Sequence, residues 1–123
     1  MARILVVDDE KDVLEFQKAF FTRRKHDVAT ASTKIDALSL IKDFKPEIIF
    51  CDLRLEDEEA GFDILLEAKN FSLKTVCYLI TGLSDKALED KALKMGAKEI
   101  LTKPISNEEL LNKINSAIYT QKE

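Results

Sequence analysis

The feature that most constrains this chain is a five-fold alternation of short apolar runs with longer segments of helical period. The runs "ILVV", "IIFC", "VCYLI" and "IL" are almost unbroken by polar residues. Such runs suit strands covered on both faces, whereas a half-wet strand would alternate. They predict strands over Arg3–Asp8, Glu47–Asp52, Thr75–Thr81 and Glu99–Thr102, and a more polar one over Asp27–Ala31 has the character of an edge. Between them, helical stripes are predicted at Val13, Phe16 and Phe20, then at Ala37, Leu40, Ile41 and Phe44. Three more follow at Ile64, Leu65 and Ala68, at Leu88, Ala92 and Met95, and at Leu110, Leu111, Ile114, Ala117 and Ile118. Punctuation agrees: Pro46 stops the second helix, Gly96 follows Met95 as a C-terminal cap, and Ser106 with Glu109 has capping-box spacing.

Strand–helix alternation on this scale predicts an α/β fold, a doubly wound parallel sheet of five strands with helices on both faces. Its crossovers are right-handed, which leaves few topologies. With 123 residues the chain is expected to form one domain spanning residues 1–123. A net charge of −4 gives no electrostatic reason for direct nucleic-acid binding, and the basic cluster Arg23-Arg24-Lys25 reads as a solvated helix end. No apolar stretch is long enough to span a membrane, and the run at Ile4–Val7 is too short for a signal-peptide core, so a cytoplasmic location is expected. Cys51 and Cys77 lie inside apolar runs as small hydrophobes, with no spacing that suggests a metal or a disulfide. His26 stands alone between Lys25 and Asp27 and reads as a surface residue.

Doubly wound sheets place functional groups beyond the C-terminal ends of their strands. There the first strand ends in Asp8-Asp9-Glu10, the third in Asp52, the fourth in Thr81-Gly82 and the fifth in Thr102-Lys103-Pro104. Each has an ordinary reading alone: Asp9 or Thr81 as a helix cap, Lys103 as a solvated lysine. Suitable groups at four strand ends together are hard to assign to chance. Two carboxylates about 4 Å apart repel by roughly 4 kcal/mol at an effective dielectric near 20, and one ammonium does not neutralise them all. A hard divalent cation with oxygen ligands fits, Mg²⁺ being usual where carboxylates, waters and a phosphate share a site. Carboxylate, metal, ammonium and hydroxyl are together the parts needed to accept and hold a phosphoryl group.

At these residues the chain resembles the receiver domains of two-component response regulators, over essentially its whole length. "VVDDE" is similar to the family's acidic pair, at Asp8 and Asp9. "FCDLRL" resembles its phospho-acceptor segment, with Asp52 the acceptor. "LITG" sets Thr81 at the switch hydroxyl, and "LTKPI" sets Lys103 before a proline that is often cis in the family. The resemblance implies the flavodoxin-like receiver fold, with strand order 2-1-3-4-5. It implies that Asp52 takes a phosphoryl group from a phosphohistidine of a sensor histidine kinase or phosphotransfer protein, assisted by Lys103 and Thr81. Mg²⁺ would be held by Asp9, Asp52 and the Arg54 carbonyl directly, and by Asp8 through water. The surface from about Ser84 to Gln121, the fourth helix, fifth strand and fifth helix, would switch and bind a downstream effector protein or output domain. Such a domain catalyses only its own phosphorylation and dephosphorylation. It has no membrane insertion and is a monomer or a weak phosphorylation-linked dimer. The resemblance does not separate a stand-alone chemotaxis-type receiver from one excised from a longer regulator, and the polar ending Thr120–Glu123 suits both.

Three departures stand out. Ile100 occupies the position, three before the lysine, where the family usually has a switch aromatic. The loop after Asp52 has Glu56 in place of a proline and reads "EDEEAGFD", about one residue longer before Gly61; a solvated acidic insertion is expected. Arg54 and Leu83 lie two residues beyond Asp52 and Thr81, where the family varies phosphoryl lifetime. Other readings are a pseudo-receiver acting as an unphosphorylated interaction module, a phosphohydrolase, and a flavin carrier. The phosphohydrolase pattern wants a second aspartate where Arg54 stands, and "DDEK" is no glycine-rich phosphate cradle.

Overall fold

A computed structural model describes residues 1–122, with side chains through Tyr119. The side chains of the polar ending and the last residues of the Ser84–Gln121 surface lie outside the described residues. The elements are β1 (Arg3–Val7), α1 (Lys11–Arg23), β2 (Asp27–Ala31), α2 (Lys34–Asp43) and β3 (Ile48–Asp52). They continue with α3 (Ala60–Phe71), β4 (Val76–Thr81), α4 (Lys86–Lys94), β5 (Glu99–Thr102) and α5 (Asn107–Lys122). The strands form one parallel sheet in the order β2-β1-β3-β4-β5, so the polar strand is indeed an edge.

Strand pleating divides the core into two layers, since successive side chains point to opposite faces. Leu5, Val7, Ile49, Cys51, Cys77 and Leu79 pack with Ala37 and Ile41 of α2, Ile64, Leu65 and Ala68 of α3, and Ala92 of α4. Ile4, Val6, Ile48, Phe50, Tyr78 and Ile80 pack with Leu14 and Phe21 of α1 and Leu110, Ile114 and Ala117 of α5. On that second face the rings of Phe21, Phe50 and Tyr78 stack at centroid separations of 6.2 and 5.2 Å. Both cysteines are buried free thiols.

The caps follow local chemistry. Thr33 accepts the Asp36 amide at 3.2 Å, Asp85 that of Leu88 at 2.8 Å, and Ser106 that of Glu109 at 3.1 Å. Gly96 has φ +106°, the left-handed conformation that a glycine C-cap supplies without a Cβ penalty. Two expectations shift. In α1 the buried residues are Leu14, Gln17 and Phe21, while Phe16 is 73% exposed and Phe20 packs beneath the Arg24 guanidinium at 3.5 Å. His26 is half-buried rather than free on the surface, its Nδ1 accepting the Ala2 amide at 3.1 Å. Burial first, then the nearby N-terminal ammonium, lowers its pKa. Among the described residues no helix is long and apolar enough to cross a membrane.

Candidate functional site

The pleat that sorts the core also builds the site. Ile4 and Val6 face α1 and α5, so the next residue in that phase is Asp8; by the same count Phe50 leads to Asp52 and Leu101 to Lys103. The register sets Val7 beside Cys51, which brings Asp8 and Asp52 side by side one step beyond the apolar ladder. Three charged groups therefore converge on one face, where the strands end and the helices begin.

The distances agree. Lys103 Nζ donates to Asp52 Oδ2 at 3.0 Å and stands 4.0 Å from Asp8 Oδ2. Asp8, Asp9 and Asp52 each offer a carboxylate oxygen within 4.8 Å of the others. Asp8 and Asp52 are buried and Asp9 is exposed. Asp8 Oδ1 also accepts the Glu10 amide at 3.0 Å, which fixes its rotamer. Asp9 does not cap α1: that position belongs to Glu10, whose side chain makes no capping bond.

Burial raises the Asp52 pKa from its ordinary 3.8 to about 7; the hydrogen bond from Lys103 opposes this and the Asp8 charge adds to it. For Lys103, burial disfavours the charge, but Asp52 and then Asp8 outweigh it and hold the ammonium above the ordinary lysine range. One ammonium, 41% exposed, thus does not compensate the buried acid. An all-oxygen set of three clustered carboxylates is the donor chemistry of a hard divalent cation, so this acidic pocket can bind a metal.

A cavity of about 340 Å³ opens over the cluster, lined by Asp9, Asp52, Arg54, Thr81, Leu83 and Lys103 among others. All the sequence-selected residues but Asp8 share this opening; Asp8 lines a neighbouring cavity of about 420 Å³ together with Asp52 and Lys103. The Thr81 hydroxyl donates to the Leu83 carbonyl at 3.0 Å and accepts the Leu83 amide at 3.3 Å, so it is engaged within its own turn. Leu83 itself is 76% exposed at the rim. The Lys103–Pro104 peptide is cis. Ile100 is half-buried against the α2–α3–α4 layer. A larger cavity, about 750 Å³, lies at the opposite ends of the strands, and there Arg3 and Glu47 already pair with each other.

One residue carries a role that the sequence reading did not give it. Gly61, in the first turn of α3, donates its amide to the Leu53 carbonyl at 2.9 Å. A Cβ at Gly61 would lie 2.6 Å from Leu53 Cα and 2.9 Å from the Asp52 carbonyl oxygen, so only glycine lets α3 approach the end of β3. The glycine was visible after the acidic loop, while the contact itself depends on how α3 docks.

The response regulator receiver domain family matches this chain over residues 4–115. Over 118 residues, 96% of its length, the chain is 30% identical to the transcriptional regulatory protein KdpE of Mycobacterium tuberculosis, of which it covers 51%. It is 29% identical over 122 residues to the response regulator SaeR of Staphylococcus aureus, covering 99% of this chain and 53% of that one. The chain therefore spans about half the length of the curated relatives it matches. A response regulator receiver domain protein from Clostridium thermocellum superposes with a TM-score of 0.89 at 31% identity, covering 99% of this chain and 98% of its own. A CheY-like receiver domain protein from Methanospirillum hungatei gives a TM-score of 0.91 at 25% identity, covering 99% and 97%. With the family matched across almost all its strands and helices, and the acidic cluster at the strand ends, this chain belongs to the receiver domains of two-component response regulators.

Proposed function

We propose that residues 1–123 act as one phosphoryl-accepting receiver domain, with Asp52 the acceptor. The observation that carries this reading is the convergence of Lys103, Asp8 and Asp9 on the Asp52 carboxylate at the rim of an open cavity. The donor is a phosphohistidine of a sensor histidine kinase or a phosphotransfer protein. An Asp52 oxygen attacks phosphorus, the O–P bond forms as the N–P bond breaks, and the freed imidazole takes up a proton. Asp9, Asp52 and the Arg54 carbonyl would hold Mg²⁺, with Asp8 bound through water; the ion supplies charge neutralisation at the phosphoryl oxygens.

Lys103 neutralises a second phosphoryl oxygen, and its position 3.0 Å from Asp52 is compatible with that role. Thr81 donates to a third after releasing the Leu83 carbonyl. The change passes to the surface of α4, β5 and α5, where a downstream effector or output domain binds. Ile100 in β5 means that no switch aromatic at that position carries the change. The domain turns over no substrate beyond its own acyl phosphate, works in the cytoplasm and is a monomer or weak phosphorylation-linked dimer.

The test is incubation with a small acyl-phosphate donor, with and without Mg²⁺, followed by intact-mass measurement of wild type and Asp52→Asn. A Mg²⁺-dependent phosphoryl adduct that disappears in the variant is expected. Absence of an adduct with every donor would instead make the chain an unphosphorylated interaction module, a role to which Ile100 is suited.

A further inference from the structure

Glu56, Asp57, Glu58 and Glu59 are all exposed, as a solvated acidic insertion should be, but the run is also tied to its neighbours. Both oxygens of Glu56 accept the backbone amide of Lys34, at 3.0 and 3.2 Å. Lys34 is the first residue of α2, and its amide is one of the donors that a helix start leaves without an intrahelical partner. Thr33 satisfies the amide of Asp36, and Glu56 satisfies that of Lys34. The Lys34 ammonium reaches back to Asp63 at 3.1 Å and Asp57 at 3.5 Å, so helix and loop grip each other. At the far side of the loop Glu59 meets Lys91 of α4 at 3.1 Å.

These bonds differ in weight. An exposed pair such as Lys91–Glu59 joins two flexible side chains in solvent and contributes little. Glu56 instead binds a donor fixed in a helix, with the helix dipole favouring its charge. Upstream, Leu53 is held by two backbone bonds, its amide to the Ile80 carbonyl at 2.8 Å and its carbonyl to the Gly61 amide at 2.9 Å. Only Arg54 and Leu55 lie between Leu53 and Glu56. Pinning both ends of so short a segment restricts where the Arg54 carbonyl can stand.

We propose that Glu56 is a positioning residue for the cation site: by gripping the N-terminus of α2 it holds the Arg54 carbonyl in place at the mouth of the acidic pocket. The role rests on the reading above in which Asp9, Asp52 and Arg54 bind Mg²⁺. Glu56 thus does by a hydrogen bond what a rigid residue at this position would do by restricting the backbone.

The test is Mg²⁺ titration by calorimetry of wild type, Glu56→Ala and Glu56→Gln. Hydrogen exchange at the Lys34 amide and the rate of adduct formation at saturating Mg²⁺ are measured alongside. Glu56→Ala is expected to weaken Mg²⁺ binding by about threefold to tenfold, with faster exchange at Lys34 and an unchanged rate at saturation. Glu56→Gln keeps an acceptor for the amide and should recover most of the affinity. Unchanged Mg²⁺ affinity in Glu56→Ala despite faster Lys34 exchange would overturn the positioning role while leaving the receiver reading intact. A rate deficit that persists at saturating Mg²⁺ would also overturn it. If wild type itself binds no Mg²⁺, the receiver reading fails and the positioning role falls with it.

Discussion

Replacing Asp52 by asparagine should stabilise the metal-free protein at alkaline pH. Asp52 is only 7% exposed, and its carboxyl group titrates at about 7 in the folded chain against an ordinary 3.8. At about 1.36 kcal/mol per pH unit, that change is worth ~4 kcal/mol. The separations explain why the lysine does not rescue it. At an effective dielectric near 20, Lys103 at 3.0 Å attracts the carboxylate by about 5 kcal/mol, and Asp8 within 4.8 Å repels it by about 3 kcal/mol. Solvent around the exposed ammonium weakens the attraction further, which leaves burial of the charge as the deciding effect.

Because the folded state holds this proton more tightly, its stabilising contribution is complete below about pH 4. It fades as pH rises and is gone above about pH 7. Asparagine has a similar shape and no charge to bury at any pH. Urea unfolding in the presence of a chelator, from pH 3.5 to 8, should find the two proteins within about 0.5 kcal/mol at the acid end. The variant should gain roughly 1–4 kcal/mol at pH 8, the upper figure assuming Lys103 loses nothing. Mg²⁺ should then raise the stability of wild type and leave Asp52→Asn almost unmoved. A variant less stable than wild type at pH 8, or a difference that does not change with pH, would refute the electrostatic reasoning.

Three further outcomes are expected. Gly61→Ala should lose about 2 kcal/mol or more in urea unfolding, because its Cβ meets the Leu53 backbone, whereas Gly82→Ala, with nothing within 4 Å, should stay within about 0.5 kcal/mol. Leu83→Asn replaces an apolar rim residue with a polar one and should shorten the lifetime of the Asp52 adduct, followed by intact mass over time; an unchanged lifetime would remove Leu83 from any shielding role. Burial pushes the Cys77 thiol up to about 12 and Cys51 well above its ordinary range, so a thiol-specific chromogenic reagent should label neither in the native protein and both after denaturation.

Four strands were legible because a strand covered on both faces leaves a short continuous apolar run, which its length and flanking turn residues set apart from a buried helix, and the polar edge strand fell in step with their alternation. All five starts and ends lie within one residue of those read from the chain. Helix α1 was read less well. Val13, Phe16 and Phe20 share a spacing with Leu14, Gln17 and Phe21, and apolar content favours the first set. The neighbours decided otherwise: Arg24 covers Phe20 from outside, while Phe21 is claimed by the Phe50 ring. The acidic loop is solvated as expected, but its attachment to α2 was not legible, since a charge run looks the same whether or not it also meets a helix start.

The sequence by itself determined the sheet, the chain ends of its strands and the residue types gathered there, because those depend on local periodicity and on a strict alternation of two. Asp8, Asp52 and Lys103 follow from that alternation alone. Only the tertiary structure decided what meets what across the chain. It joined Glu56 to the amide of Lys34, brought α3 so close to Leu53 that residue 61 must lack a Cβ, and engaged the Thr81 hydroxyl within its own turn. Such contacts link residues whose partners are fixed by docking, and docking is set by the packing of whole elements rather than by any period in the chain.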